Sequence, residues 1–229
     1  MVSIVHPAYF TKLPSNGVKV KFRPFTVKEE KSLLLALQEN DVNVVVDSIK
    51  STISACTYGQ VDPDKITYYD VEFLFLQIRA KSVGEVLELI GSCECSPTAK
   101  TPFTADIDDT VVTPLPSGNK RISITQTGYT VEFKHPSIED FANIIKTEGE
   151  AASDVVAKCI VQIFSDDEMI DMDMAGKIEF IESMSPIQQK ELMLFLKNMP
   201  ITQIPTKYKC VACGKEHASK LSGFENFFV

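Results

Sequence analysis

The stretch Ile66–Cys95, ITYYDVEFLFLQIRAKSVGEVLELIGSCEC, most constrains what this chain can fold into. Thr67 is placed to cap a helix, with Asp70 three residues on, where a carboxylate reaches back to the free amides of the first turn. Val71, Leu74, Phe75 and Ile78 then recur at helical spacing and make one face apolar. Tyr68, Tyr69, Phe73 and Leu76 fall elsewhere around the wheel. A helix apolar on nearly every side is buried by its own chain or covered by a partner. Beyond Gly84, the residues Val86, Leu87, Leu89 and Ile90 suggest a strand that runs into Cys93-Glu94-Cys95. The segment joins a buried helix to a candidate metal site.

The flanking sequence supplies elements to cover that helix. Tyr9–Leu13 and Val18–Phe22 flank Pro14-Ser15-Asn16-Gly17, a hairpin signal because Asn-Gly readily takes positive φ. Thr26 and Glu29 form a capping box for an amphipathic helix, and Asp41 caps a second one rich in β-branched residues. Ser96–Pro102 reads as a turn and Phe103–Asp108 as a returning strand. Thr113–Asn119 (TPLPSGN) is the strongest internal break, which divides the chain into 1–112 and 113–229, or punctuates one integrated domain.

After it, Arg121–Thr125 and Tyr129–Phe133 alternate as a second hairpin around Gly128. Helices are expected from Ser137 to the stop at Gly149, from Ser153 through SDVVAKCIVQIF, and over Ala175–Met184. Another starts at Ser185, with Pro186 at its first position and Gln188 at its third. Ile201–Tyr208 leads extended into Cys210. The predicted class is α+β: two β-hairpins, a mainly helical body, and a Cys-rich zinc-knuckle element joining the middle of the chain to its C-terminus.

A net charge of -8 argues against nucleic acid as the main partner, since phosphate binding needs a basic surface. No apolar run reaches the length of a bilayer span, and the N-terminus lacks the pattern of a signal peptide. Folding in a reducing cytoplasm is expected, where six cysteines are better explained by thiols or metal than by disulfides.

Cys210-Val-Ala-Cys213-Gly214 is the sharpest local signal. Two thiolates at this spacing, with a glycine permitting the tight turn, form a zinc knuckle. One knuckle supplies two ligands and a closed structural site needs four, so Cys93 and Cys95 are the expected second pair, with His217 as an alternative ligand. Zinc is the expected metal, although four thiolates would also hold an iron–sulfur centre. Cys56 and Cys159 lie on apolar helix faces and read as core.

No G-x-S-x-G, phosphate-binding Gly-rich loop or H-E-x-x-H occurs, and no catalytic residue is assigned. A metallohydrolase would need an open three-ligand site, with Glu94 or Glu216 as base. The acidic run Asp166–Asp173 lacks the spacing of a calcium loop and reads as a solvated connector. Met184, Met193 and Met199 read as core packing. Phe224, Phe227 and Phe228, in an aromatic tail where termini are usually polar, are the candidate partner-binding residues.

Several of these features occur together in one family. The order is a hairpin, PFTVKEEKSLLLAL, the TYYDVEFLFLQIRAKSVGE block, a cysteine pair, and a late YKCVACG followed by LSGFENFF. This pattern resembles the T4-type bacteriophage baseplate protein family, which includes the baseplate hub subunit of T4-like phages. The likeness is most specific at Phe25–Leu35 and at Asp70–Gly84, where Leu76, Arg79, Ser82 and Gly84 stand out. It implies a non-enzymatic structural component of a contractile-tail baseplate hub, made in the bacterial cytoplasm and placed in the virion tail. Its implied partners are other baseplate, hub and tape-measure proteins. The alternative is a transient tail-assembly chaperone absent from the mature virion.

Overall fold

The chain begins with a small hairpin that the first helices cover. In the computed structural model of the protein, residues 4–39, 41–115, 118, 120–140, 152–166 and 168–224 are described. Strands β1 (Tyr9–Lys12) and β2 (Lys19–Phe22) pair antiparallel, with Tyr9 opposite Phe22 and Lys12 opposite Lys19. Gly17 takes φ 71° in their connection, and the Asn16 side chain accepts a hydrogen bond from the Val18 amide. The Asn-Gly signal is therefore used as read.

Helix α1 (Val27–Gln38) opens at Thr26, whose amide and hydroxyl both donate to Glu29. Arg23 binds the same carboxylate through both terminal nitrogens, at 2.7 and 2.9 Å. Helix α2 (Val42–Cys56) is capped by Asp41 and buries Val46, Ile49 and Ile53.

Helix α3 (Tyr68–Val83) is the centre of the first core, with eleven of its sixteen residues buried. Thr67 caps it, accepting from the Asp70 amide and donating to the Asp70 carboxylate. Asp70 also accepts from the Ser15 amide at 2.9 Å, tying the first hairpin's turn to the helix start. Phe22, Leu33, Ile49, Ile53, Leu87 and Ile204 converge on Val71, Leu74, Phe75 and Ile78. A helix apolar all round is covered by its own chain. Arg79 is buried too and donates to the Gly84 carbonyl at 3.0 Å, and burial pushes its pKa down.

Strands β3 (Val86–Cys93) and β4 (Ser96–Asp106) form a long hairpin, followed by a 3-10 turn at Ile107–Asp109 and a short strand β5 (Val111–Thr113). Strands β6 (Lys120–Ser123) and β7 (Tyr129–Phe133) come next. Helix α4 (Ala152–Cys159) leads directly into β8 (Ile160–Ser165), and β9 (Glu168–Ile170) follows. Helices α5 (Met174–Glu182) and α6 (Pro186–Lys197) precede β10 (Ile201–Lys209) and β11 (Glu216–Leu221).

All described pairings are antiparallel, in sheets of order β1-β2, β3-β4, β11-β10-β5 and β6-β7-β8-β9. The four-stranded sheet and helices α4 to α6 enclose a second core around Val131, Phe133, Ile163, Leu192 and Phe195. The two cores meet at the start of α3. Tyr69 sets its ring edge against His135, which stacks on Phe195. The Tyr68 amide donates to the Pro136 carbonyl, the Tyr68 hydroxyl to the Pro200 carbonyl, and the Thr202 hydroxyl to the Tyr69 carbonyl.

The α+β class holds, but two hairpins on a mainly helical body do not describe the chain. Hairpin β10–β11 adds to the two expected ones, and most of the returning strand expected at Phe103–Asp108 lies in β4, which completes a further hairpin with β3. Ser96–Pro102 is strand rather than turn, because β4 lies at the edge of a two-stranded sheet, where proline removes no needed ladder donor. The helix expected from Ser153 through Phe164 ends at Cys159, since IVQIFS is β-branched and finds a partner edge on β7. Part of the acidic connector is strand β9. Ser137 and Asp140 make the expected capping contacts, whereas Gly149 and the rest of that helix lie outside the described residues.

The Arg23–Glu29 pair gives this half of the molecule a defined acid response. Burial raises the Glu29 pKa, but hydrogen bonds from Arg23 and from Thr26 outweigh it and hold the carboxyl down at about 2. A depressed carboxyl stabilises the folded state above its unfolded value of 4.5, and that stability is lost as pH falls towards 2. Denaturant melts between those limits are expected to lose up to about 3 kcal/mol more in the native chain than in Glu29→Gln. Parallel pH profiles for the two proteins would contradict this.

Candidate metal centre

The tips of two hairpins meet at the four cysteines. Cys93 ends β3 opposite Ser96, so Glu94 and Cys95 form the tip of the β3–β4 hairpin. Cys210 follows β10, and the turn Cys210–Gly214 is closed by the Gly214 amide donating to the Cys210 carbonyl at 2.9 Å. The Cys210 amide in turn donates to the Lys215 carbonyl. Gly214 has φ 74°, the left-handed conformation that the residue after the second cysteine of a knuckle requires.

The four sulfurs lie within 4.8 Å of one another. Cys93 Sγ is 3.8 Å from Cys213 Sγ, and Cys95 Sγ is 3.7 Å from Cys210 Sγ. Four sulfurs bound 2.3 Å from a tetrahedral ion stand about 3.8 Å apart, so these two separations match edges of such a tetrahedron. They are far too long for disulfides, and all six cysteines are free. The donor set and its spacing fit a four-coordinate metal ion.

Local amides prepare one sulfur for that role. The backbone amides of Cys213 and Ala212 donate to Cys210, outweigh its burial, and hold its thiol down at about 6. Cys95 is pushed up to about 12 by hydrogen bonding with Cys213, then with Cys93. Four thiolates this close repel one another, and a bound cation would hold them together.

A stack of three rings supports the site. Tyr208 lies between Phe103 of β4, at 4.7 Å, and His217 of β11, at 4.8 Å, with interplanar angles of 20° and 13°. Its hydroxyl donates to the Ser92 carbonyl at 2.6 Å, next to Cys93. Gly91 leaves room for this ring. The Val211 amide donates to Thr101 at 3.2 Å, so the knuckle also holds β4. These contacts join the two hairpins where no ladder bonds do.

His217, the alternative ligand, is used in that stack and is not in the four-sulfur group. Sequence reasoning missed Phe103, Tyr208 and Thr101 as supports. The one available signal was Gly91, an isolated glycine in a strand, which often marks close approach by another group. Cys56 and Cys159 are fully buried, and burial pushes both thiols up to about 12, as expected of core residues.

Among the described residues, Asp166, Glu168, Asp171 and Asp173 form no metal-binding group, and Asp173 caps α5. Met184, Met193 and Met199 pack against the cores. Phe224 is partly buried on this chain, edge-on to Phe75 at 5.9 Å, while Phe227 and Phe228 lie outside the described residues.

The fold and the cluster define a small α+β protein whose middle and end meet at a four-thiol, metal-competent clamp. The chain belongs to the T4 bacteriophage base plate protein family, whose model matches residues 6–229. It is 25% identical over 212 residues to the baseplate hub assembly protein gp26 of Enterobacteria phage T4, covering 91% of this chain and 92% of that one. No solved structure matches the chain. The family resemblance carried by Phe25–Leu35 and Asp70–Gly84 is borne out. No helix among the described residues is long and apolar enough to cross a membrane.

A Cβ added at Gly91 would sit 2.9 Å from Tyr208 Cε1 and closer still to Cζ and Cε2. The ring is stacked on both faces and cannot simply swing away. Gly91→Ala is expected to destabilise the protein by about 1–3 kcal/mol in chemical denaturation, as overpacking does. Unchanged stability would show that the stack yields freely.

Proposed function

We propose that the chain is a structural component of the baseplate hub of a contractile phage tail, acting in hub and tail assembly without catalysis. The observation that carries this reading is the family match along almost the whole chain, accompanied by near end-to-end similarity to a hub assembly protein. Its partners are then other baseplate and hub proteins, and tape-measure protein is a further candidate. Its place is the tail baseplate, built in the bacterial cytoplasm. Peptide mass spectrometry of purified virions should find the chain at a fixed ratio to the other hub proteins. Its absence from finished particles whose assembly requires it would overturn the structural role in favour of a transient chaperone.

Zinc is the metal we assign to the four-thiol site, held by Cys93, Cys95, Cys210 and Cys213. Four thiolates complete a structural tetrahedron and leave no open position for a reacting water, which supports a clamp rather than a hydrolase. The ion would supply charge that keeps four thiolates together, and thereby couple metal binding to folding. Elemental analysis should give one zinc per chain. Cys213→Ser should lower that occupancy and destabilise the fold by about 4 kcal/mol or more, as loss of a metal site does. Iron with inorganic sulfide would reassign the cofactor, and unchanged melting after chelation would remove the clamp.

A further inference from the structure

The four thiols are not equivalent. Cys93 and Cys210 are buried, whereas Cys95 and Cys213 are exposed. The sulfur pairs at 3.8 and 3.7 Å each join one buried thiol to one exposed thiol, and each crosses from one hairpin to the other. Cys93 meets Cys213 across a separation of 120 residues, and Cys95 meets Cys210 across 115. The ring stack of Phe103, Tyr208 and His217, with the Tyr208 bond to Ser92, holds the hairpins in this register independently of the sulfurs.

We infer that the site is a convertible cross-link: a peroxide-class oxidant turns the metal clamp into two disulfides, Cys93–Cys213 and Cys95–Cys210, that keep the same hairpins tied. This rests on the metal-clamp reading for its starting state. One thiolate of each pair attacks one peroxide oxygen, the O–O bond breaks, and the distal oxygen leaves as water after protonation. The resulting sulfenic acid is attacked by the other sulfur of the pair, an S–S bond forms, and a second water leaves. Each disulfide therefore consumes one peroxide, two thiolates and two protons. A zinc ion held by these thiolates would be neither oxidised nor reduced, and would be released as the divalent cation because a disulfide offers no thiolate.

The geometry favours this outcome over local oxidation. An exposed sulfenic acid that finds no neighbouring thiol proceeds to irreversible acids, but here a sulfur waits less than 4 Å away in each pair. Disulfides within Cys93-Glu94-Cys95 or within Cys210–Cys213 would close short loops and leave the hairpins untied. The cross-hairpin bonds close long loops, which restrict the unfolded chain far more. The device suits a protein built in a reducing compartment and later carried outside it.

The test uses the full chain. Its zinc is first measured without treatment, then the protein is treated with hydrogen peroxide in the presence of a chelator and digested without reduction. The expected peptides are Cys93–Cys213 and Cys95–Cys210. The melting temperature of the oxidised protein should be insensitive to chelator and fall on adding dithiothreitol, the reverse of the untreated protein. Cys95→Ser should retain only the Cys93–Cys213 bond. Local disulfides, sulfinic or sulfonic acids, or a melting temperature that collapses on oxidation would overturn the inference. Absence of zinc at the start would sink the metal reading alone, since the disulfide map is read separately.

Discussion

Burial of α3 is the constraint from which the rest of the architecture follows. A helix with apolar residues around its whole circumference cannot lie on a surface, and the chain surrounds it with the first hairpin, α2, β3 and β10. The polar groups of its first turn have work beyond capping. Asp70 fastens the β1–β2 turn, while Tyr68 and Tyr69 reach the backbone and rings of the second core. Residues separated by more than 130 positions are thus joined at one helical turn. The helix is at once the filling of one core and the hinge pin of both.

The cysteine cluster acts on the same assembly from the opposite end of β3. Strand β3 leaves α3 at Gly84 and delivers Cys93 to the knuckle, and β10 returns from α6 to deliver Cys210. Ladder bonds do not join these two hairpins. Aromatic stacking, two side-chain hydrogen bonds and the four sulfurs take their place. Such a junction is directional, and it sets the two cross-hairpin sulfur pairs at 3.8 and 3.7 Å, close to a tetrahedral edge.

Much of this was legible in the sequence where a local rule and the global fold agree. The capping box at Thr26 and Glu29, the Asn-Gly turn, the wholly apolar helix and the pairing of Cys93 and Cys95 with Cys210 and Cys213 all read directly. What was hidden depends on partners distant in the chain. Ile160–Ser165 has an apolar pattern that continues the preceding helix on paper, and only the open edge of β7 makes it a strand. Pro97 and Pro102 look like turn residues until β4 is known to be an edge strand. His217 has the chemistry of a ligand but sits across the ladder from Tyr208, and pairing register decides which it meets. No periodicity reports such a register.

The order of the ligands along the chain has a mechanical meaning. With Cys93 and Cys95 joined to Cys210 and Cys213, everything from β5 to α6 becomes a side branch between two closed points. Tension applied along the chain from its first hairpin to its last strand would run through α3, across the sulfurs, and out through β11. The second core would then lie off the covalent path. Pulled between those points, a chain so wired would load its second core only through side contacts with α3.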